Sequence, residues 1–300
     1  MYRAHFGLKE LPFTITPDTT FFFAHASHQT ALNTLLVAVR SGEGFMKVVG
    51  EVGLGKTLLC RKFLGALDLK DCVTAYIPNP YLEPMTLLLA IAEELGLEVP
   101  ANVHQHHLLK QLTRFLIDTY AGGKRVVLCL DEAQALPIET LEALRLISNL
   151  ETERRKLLQI VLFGQPELNR KLDEPSIRQL KQRIAFSCTL EPLSFDEMEF
   201  YLAHRLHVAG YRGARLFESS AVKKLYKASG GTPRLVNILA HKSLLAAYGQ
   251  GARRVMEMHV GAAIADTEAL RPARFGQRLL KYFAGSAASL VLAAGIFLLA

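Results

Sequence analysis

The run "VVGEVGLGKTLL" at residues 48 to 59 carries the pattern G-x-x-x-x-G-K-T from Gly50 to Thr57. Such a run suits phosphates. Glycines let the chain wrap so that successive backbone N–H groups converge on an anion, and a helix opening just beyond adds its positive dipole end. Lys56 is then placed to reach the β and γ phosphates of a nucleoside triphosphate, and the Thr57 hydroxyl to ligate Mg²⁺. Gly50, Glu51, Val52, Gly53, Leu54, Gly55, Lys56, Thr57 and Leu58 are therefore the expected ATP-binding residues. A glycine-rich turn without nucleotide is the plainer alternative. The apolar run before the loop and the helical pattern after it favour the phosphate site.

Four further groups of residues bear on that chemistry. In "VVLCLDEAQ", Asp131 ends an apolar run, where its carboxylate suits a hard cation and can hold Mg²⁺ through water. Glu132, one residue on, is placed to polarise the attacking water as general base; a surface acid at a strand end is the alternative. Gln165 in "GQPEL" is placed to orient that water or report on the γ-phosphate, or else is a turn residue satisfied by backbone. In "GGTPRLVN", Thr232 is a good N-cap and Pro233 a good first-turn residue. Arg234 then sits in a helix's first turn, where a cation opposes the dipole. The misfit makes sense where the arginine faces a phosphate; a surface arginine is the bland reading. Finally, "IRQLKQRIAF" offers Arg178, Lys181 and Arg183, either as an arginine finger presented to a neighbouring subunit's ATP or as a solvated basic helix face. Arg183, next to a strand start, is preferred over Arg178.

These residues need elements to hold them. The pattern predicts a helix near "HQTALNTLLVAVRSG", the strand "FMKVV", the phosphate loop, and a helix from about Lys56. "CVTAYIP" reads as a strand, followed by helices at "PMTLLLAIAEELG" and "HLLKQLTRFLIDTYAGG". "RVVLCLDE" and "LLQIVLFG" are continuous apolar runs with the helix "PIETLEALRLISNLE" between them. Such runs indicate strands buried on both faces of a parallel sheet, and the alternation with helices indicates a doubly wound α/β fold with its site at the strands' carboxyl ends. After "AFSCTLEPL" only helices are expected. "SFDE" at 194 to 197 has capping-box form, Gly210 stands where that helix should stop, and helices near 218–229, 233–248 and 258–269 complete a module of about 75 residues.

Bulk properties narrow the setting. Three hundred residues give room for one large α/β domain and a smaller one. Cys60, Cys72, Cys129 and Cys188 are scattered without a C-x-x-C pair, which reads as buried reduced thiols, not a disulfide framework or zinc site. The "HQHH" cluster (His104, His106, His107) lacks a cysteine or carboxylate at ligand spacing and reads as a polar helix start. No apolar leader opens the chain, so its bulk is expected in the cytoplasm. The net charge of +7 permits nucleic acid. However, Arg271, Arg274, Arg278 and Lys281 stand directly before the uncharged run Tyr282 to Ala300, as in a cytoplasmic membrane flank. As a helix that run is about 28 Å long, close to a bilayer core; a helix packed on the protein or in an oligomer interface is the alternative.

With these motifs placed, the chain resembles the AAA+ ATPases of the ExeA, or general secretion pathway A, type, and within them the MshM-like group of mannose-sensitive haemagglutinin (MSHA) pilus biogenesis. The resemblance covers roughly residues 2 to 270. It runs through "FGLKELPFTITPDTTFFFAHASHQTAL", "GFMKVVGEVGLGKT", "LDEAQAL", "FGQPEL", "LKQRI", "YLAHRLHVAG" and "GGTPRLVN". It implies a P-loop NTPase fold with Gly50–Thr57 as Walker A, Asp131 and Glu132 as Walker B, Gln165 as sensor 1 and Arg234 as sensor 2. The N-terminal segment and the helical lid are implied to enclose the adenine, with Pro12 and Phe13 as candidates for that edge. The strand "CVTAYIP", placed between the phosphate-loop strand and the Asp–Glu strand, is implied to mark the P-loop division that carries its own catalytic glutamate. Larger relatives continue past a membrane span into a periplasmic peptidoglycan-binding domain; this sequence ends inside its apolar run, and no such domain is claimed.

The expected organisation is an AAA+ core over 1–192, a lid over 193–270, a basic juxtamembrane linker over 271–281 and a transmembrane helix over 282–300. The expected function is a homo-oligomeric, Mg²⁺-dependent ATPase on the cytoplasmic face of the inner membrane, driving assembly of a pilus or secretion machine. Two rivals remain: a DNA-binding ATPase like the transposition helper TniB, and a nucleotide-gated scaffold that seldom hydrolyses.

Overall fold

The computed structural model describes residues 2–100, 103–149 and 156–267. The chain opens with a short helix α1 (Tyr2–Phe6) and an extended strap, then enters α2 (Ala26–Ser41), β1 (Phe45–Val49) and α3 (Lys56–Ala66). β2 (Cys72–Ile77), α4 (Pro84–Glu94), α5 (Gln105–Ala121), β3 (Arg125–Leu130) and α6 (Ile138–Ile147) follow. β4 (Leu158–Gly164), α7 (Glu167–Leu172), α8 (Arg178–Arg183) and β5 (Ile184–Thr189) finish the α/β part. Four helices then close the described chain: α9 (Phe195–Val208), α10 (Ser219–Ser229), α11 (Pro233–Gly249) and α12 (Glu257–Ala265).

The five strands form one parallel sheet in the order β2-β3-β4-β1-β5. In β3 every residue but the first is buried, and in β4 all are, as continuous apolar runs require when helices cover both faces. Alternate residues serve the two faces. Met46, Val48, Val127, Cys129, Val161 and Phe163 pack with α2 and α3. Phe45, Val126, Leu128, Leu130, Ile160 and Leu162 pack with α4, α5 and α6. The strand separating β1 from β3 is β4, while β2 lies at the sheet's edge. The intervening role expected of "CVTAYIP" therefore holds along the chain, not across the sheet. Register pairs Val49 with Gly164, and Leu130 with Leu162. The carboxyl ends of β1, β3 and β4 thus open side by side.

The helical part has its own core. α9 begins with the expected capping box: Ser194 and Glu197 exchange side-chain bonds with each other's backbone N–H groups. Gly210, at φ +89°, follows its end. Thr232 does stand at the N-cap of α11, but its side chain makes no capping bond there. Leu202, Leu206, Leu225, Val236 and Leu239 form the centre of this core, and Tyr2, Phe6, Leu8, Phe13 and Phe21 belong to the same cluster. Tyr2, Phe6, Leu8, Phe13 and Phe21, placed within the ATPase core span by the sequence reading, thus pack with the lid helices. Their short apolar spacing carries no period that would reveal the partner.

The basic linker and apolar run expected over 271–300 lie outside the described residues. Among the described residues, no helix is long and apolar enough to cross a membrane.

The turn between α10 and α11 packs tightly at Gly231, against Leu193 where the chain enters the lid. A Cβ there would lie 2.0 Å from the Leu193 carbonyl oxygen, at φ +73°, whereas Gly230, at φ +56°, has nothing within 4 Å. We expect Gly230→Ala to cost about 1–2 kcal/mol for the left-handed backbone alone. Gly231→Ala should cost clearly more, because backbone must also move; urea unfolding of the two variants measures the difference.

Candidate functional site

The phosphate loop leaves β1 and turns into α3 through Gly55, which caps that helix at φ +85°. Lys56 is 5% exposed. Its Nζ donates to the carbonyls of Gly50 at 2.8 Å and Glu51 at 3.0 Å, so the ammonium bridges the loop's own backbone. Burial pushes its pKa down, against the pull of Glu132 and Asp131. Next in the helix, Thr57 Oγ1 donates to Asp131 Oδ2 at 2.6 Å. Asp131 ends β3, with its N–H on the Ile77 carbonyl and its Oδ1 accepting from the Glu132 N–H at 3.0 Å. Burial raises the Asp131 pKa, while the bonds from Thr57 and Glu132 hold it back. A buried carboxylate beside a hydroxyl, both oxygen donors, fits a hard divalent cation such as Mg²⁺.

Glu132 is the one non-glycine residue at positive φ (+52°) among the described residues. Strain of that kind persists only where the surroundings enforce it. Here two amides do so. Gln134 Nε2 and Gln165 Nε2 both donate to Glu132 Oε2, at 2.5 and 3.1 Å, and the Gln165 N–H donates to Gln134 Oε1 at 2.9 Å. Gln134 therefore joins the site although the sequence reading gave it no role. Its only signal was a polar side chain in the turn after the two acids.

The lid closes the other side. A cleft of about 340 Å³ lies between phosphate loop and lid, lined by Val52, Gly53, Gly55 to Leu58, Glu132, Gln165 and Arg234. The Arg234 N–H donates to the Gly53 carbonyl at 3.2 Å, and a Cβ on Gly53 would stand 2.8 Å from the Arg234 Cβ. Glycine is what lets lid and loop touch here. The far end of the cleft is made by Thr14 to Asp18 of the strap with Tyr201, Arg205 and Asn237 of the lid.

Residues 39–172 match the AAA domain family. The chain is 39% identical over 271 residues to general secretion pathway protein A of Aeromonas hydrophila, covering 90% of this chain and 49% of that protein. The chain is thus similar to the AAA+ ATPases of the general secretion pathway A type. The chain spans about half the length of this curated relative. Among solved structures, the Cdc6p protein of Pyrobaculum aerophilum superposes with a TM-score of 0.64 at 17% identity, covering 84% of this chain and 71% of that one. The ORC2 protein of Aeropyrum pernix gives 0.59 at 19%, covering 84% and 72%. The RuvB branch-migration motor of Thermotoga maritima gives 0.51 at 17%, covering 79% and 68%. These likenesses establish the shared fold.

Within this AAA+ frame the other expected residues fall as follows. Leu54 is buried behind the loop, packed with α2 and α3. Gly50 backs onto Leu190, where a Cβ would meet the leucine at 3.0 Å. Pro12 and Phe13, the candidates for the adenine edge, do not line the cleft: Phe13 stands edge-on to Phe217, and the buried Pro12 accepts a bond from Arg205 Nε through its carbonyl. The apolar character that made them candidates is used in the lid core, and the next five residues line the far end of the cleft instead. Arg183 donates to Ser148 Oγ at 2.9 Å and to the Arg145 carbonyl at 3.4 Å, fastening the end of α6. Arg178 is exposed, and neither arginine lines the cleft.

Behind the loop, His28 is 4% exposed. Burial, with His25 beside it, pushes its pKa down to about 3, and burial lowers that of His25. A histidine neutral in the fold binds fewer protons than in the unfolded chain between its two pKa values. The stability it contributes is full above about 6.5, the unfolded value, and is lost progressively as pH falls toward 3. We expect the urea midpoint to drop between pH 7.5 and pH 5, and His28→Gln to shrink that drop; an equal drop in the variant would assign the acid sensitivity elsewhere.

Proposed function

We propose that the cleft binds ATP with Mg²⁺ and hydrolyses the terminal phosphoryl bond, and that the resulting change in lid angle acts on an envelope assembly of the pilus or secretion kind. The observation that carries this reading is the meeting of Thr57 with Asp131, and of Glu132 with Gln165, at the mouth of the phosphate loop.

Each residue takes a role its place supports. Loop N–H groups and Lys56 hold the β and γ phosphates, with Lys56 exchanging its bonds to the Gly50 and Glu51 carbonyls for phosphate oxygens. Thr57 and Asp131 hold Mg²⁺, which supplies charge neutralisation for the departing phosphate. Glu132 takes the proton of the attacking water, a role that needs its Oε2 released from at least one of the two amides. Gln165, already on Glu132, orients the water. Arg234 lies at the cleft's lid side, where it meets the γ-phosphate and reports its loss.

The assembly-level reading rests on similarity to general secretion pathway protein A. A homo-oligomer that shares sites between neighbours needs a free cation at its interface. The exposed Arg178 suits that task better than Arg183, whose guanidinium is engaged within the chain. Tethering to the inner membrane through residues 282–300 is supported by their uncharged sequence behind four basic residues. A second reading, DNA binding, draws on the net charge of +7. It requires affinity that falls steeply with salt.

Purified protein should hydrolyse ATP only with Mg²⁺. Glu132→Gln should keep nucleotide binding while turnover drops by about a hundredfold or more, and Lys56→Ala should lose binding. Gln134→Ala should alter turnover but leave nucleotide affinity nearly unchanged. Wild-type turnover in Glu132→Gln would remove the base assigned here.

A further inference from the structure

The phosphate loop touches the lid at its front through Gly53 and Arg234. A second connection runs behind it, on the side away from the cleft. His28, in the first turn of α2, faces the Leu54–Gly55 turn, and its Nε2 stands 3.2 Å from where a Cβ on Gly55 would be. The ring therefore rests on the turn that delivers Lys56. Its other side meets His25, with ring centroids 4.2 Å apart. His25 Nδ1 lies 3.8 Å from Glu197 Oε1. Glu197 belongs to the lid: its Oε2 accepts from the Ser194 N–H in the capping box of α9, and its Oε1 accepts from the Ala26 N–H at the start of α2.

Lid helix, carboxylate, imidazole, imidazole and phosphate loop thus touch in sequence. None of the three side chains lines the cleft. His25 Nε2 and His28 Nδ1 are buried and have no hydrogen-bond partner among the described residues; the rings are held by their tilted contact with each other, by the edge of Phe22 on His28 and by Ser27 Oγ at His25 Nδ1. A ring held that way follows its neighbours when they move. Lys56 and Gly55 sit at the moving end, and displacements of an ångström at such a site change rates strongly.

We propose that His28 is a positioning residue for ATP turnover, transmitting the setting of lid helix α9 through Glu197 and His25 to the Leu54–Gly55 turn of the phosphate loop. This rests on the reading that the cleft turns over ATP. His28 never meets the nucleotide and acts through Gly55 and Lys56. The front contact pulls on Gly53 and the rear contact sets the two residues after it, so the lid addresses the loop from both sides.

The test uses the full chain, a fluorescent ATP analogue for affinity, and steady-state kinetics. His28→Gln keeps a neutral donor near the Nε2 position; His28→Leu keeps the volume and removes the donor. We expect H28Q to retain most of the turnover. H28L should still bind the analogue, which also reports that it is folded, with kcat lowered about tenfold and KM little changed, as misplacement without lost binding predicts. E197Q alone should lower kcat with KM unchanged, and E197Q added to H28L should cost less than the product of the two single losses, because the two act in one path. H28L at wild-type turnover, H28Q and H28L equally impaired, wild-type kinetics in E197Q, or losses that multiply would each overturn the relay. Failure of the wild-type chain to bind or hydrolyse ATP overturns the proposed function and the relay together, whereas an active wild type with indifferent H28L overturns the relay alone.

Discussion

The contact between the Thr57 hydroxyl and the Asp131 carboxylate is what the rest of this site is arranged around. It joins the first turn of α3, which follows β1, to the residue after β3; β4 lies between β1 and β3 in the sheet, and the two residues are 74 apart in the chain. A carboxylate only 2% exposed carries a desolvation cost that the hydroxyls of Thr57 and Tyr76 and one N–H offset only partly, so burial dominates its raised pKa. A hydrogen bond to a charged group returns about 1.5–3 kcal/mol. The remaining deficit is what makes the pair receptive to a cation. Parallel pairing makes the arrangement possible. Because β1, β3 and β4 all run the same way and are in register, three loops emerge together, and the phosphate loop, the two acids and Gln165 need no long excursions to meet.

Glu132 shows a different economy. Its backbone is held at positive φ while two amides fix its carboxylate from Gln134 and Gln165. Those bonds stabilise the carboxylate as it stands, and they also occupy the oxygen a water would use. In this state the glutamate is held in place and capped at once. A rearrangement that swings Gln134 away from Oε2 also disturbs the bond between Gln134 and the Gln165 backbone, so the carboxylate is coupled to the end of β4. On the proposed reading, that coupling ties readiness for hydrolysis to whatever occupies the cleft beside Gln165.

Much of this was legible in the sequence, for reasons that differ by element. The strands announced themselves because burial on both faces demands uninterrupted apolar runs, and β1 matches its expected span. The capping box at Ser194 was readable because its two bonds depend on residues three apart. Thr232 was not so simple: the position was right, yet the side chain leaves its helix uncapped. The strap deceived more deeply. Pro12 and Phe13 lie in a stretch without period, and nothing local distinguishes packing against the lid from packing against a base. Gln134 was hidden because its role follows from the unusual backbone of Glu132, two residues earlier, which no composition reveals. His28 looked like a polar residue on a helix; its importance comes from what α2 lies against. The order of strands across the sheet was likewise a matter of crossovers, which chain order does not fix.

The packing of the strap against the lid changes how the cleft must work. Arg205 is buried, stacked over the Phe21 ring at 4.7 Å and bonded to the Pro12 carbonyl and the Tyr201 hydroxyl. Asn237 accepts from Tyr201 at 2.8 Å, and its amide lies 3.4 Å from the Thr14 carbonyl. These bonds fasten the strap to α9 and α11, while the Pro17 carbonyl accepts from Arg61 of α3 at 3.2 Å, so Thr14 to Asp18 lie against both lid and core at the far end of the cleft. On the proposed reading, a nucleotide in this cleft would have its phosphates on the phosphate loop and its base against the strap and the lid. Loss of the terminal phosphate then removes contacts on the core side and near Arg234 while the base edge is untouched. On that reading the lid would keep its hold on the base while its grip on the core loosens, which is how a small chemical change at one end of a ligand would become a change of angle between two packed units.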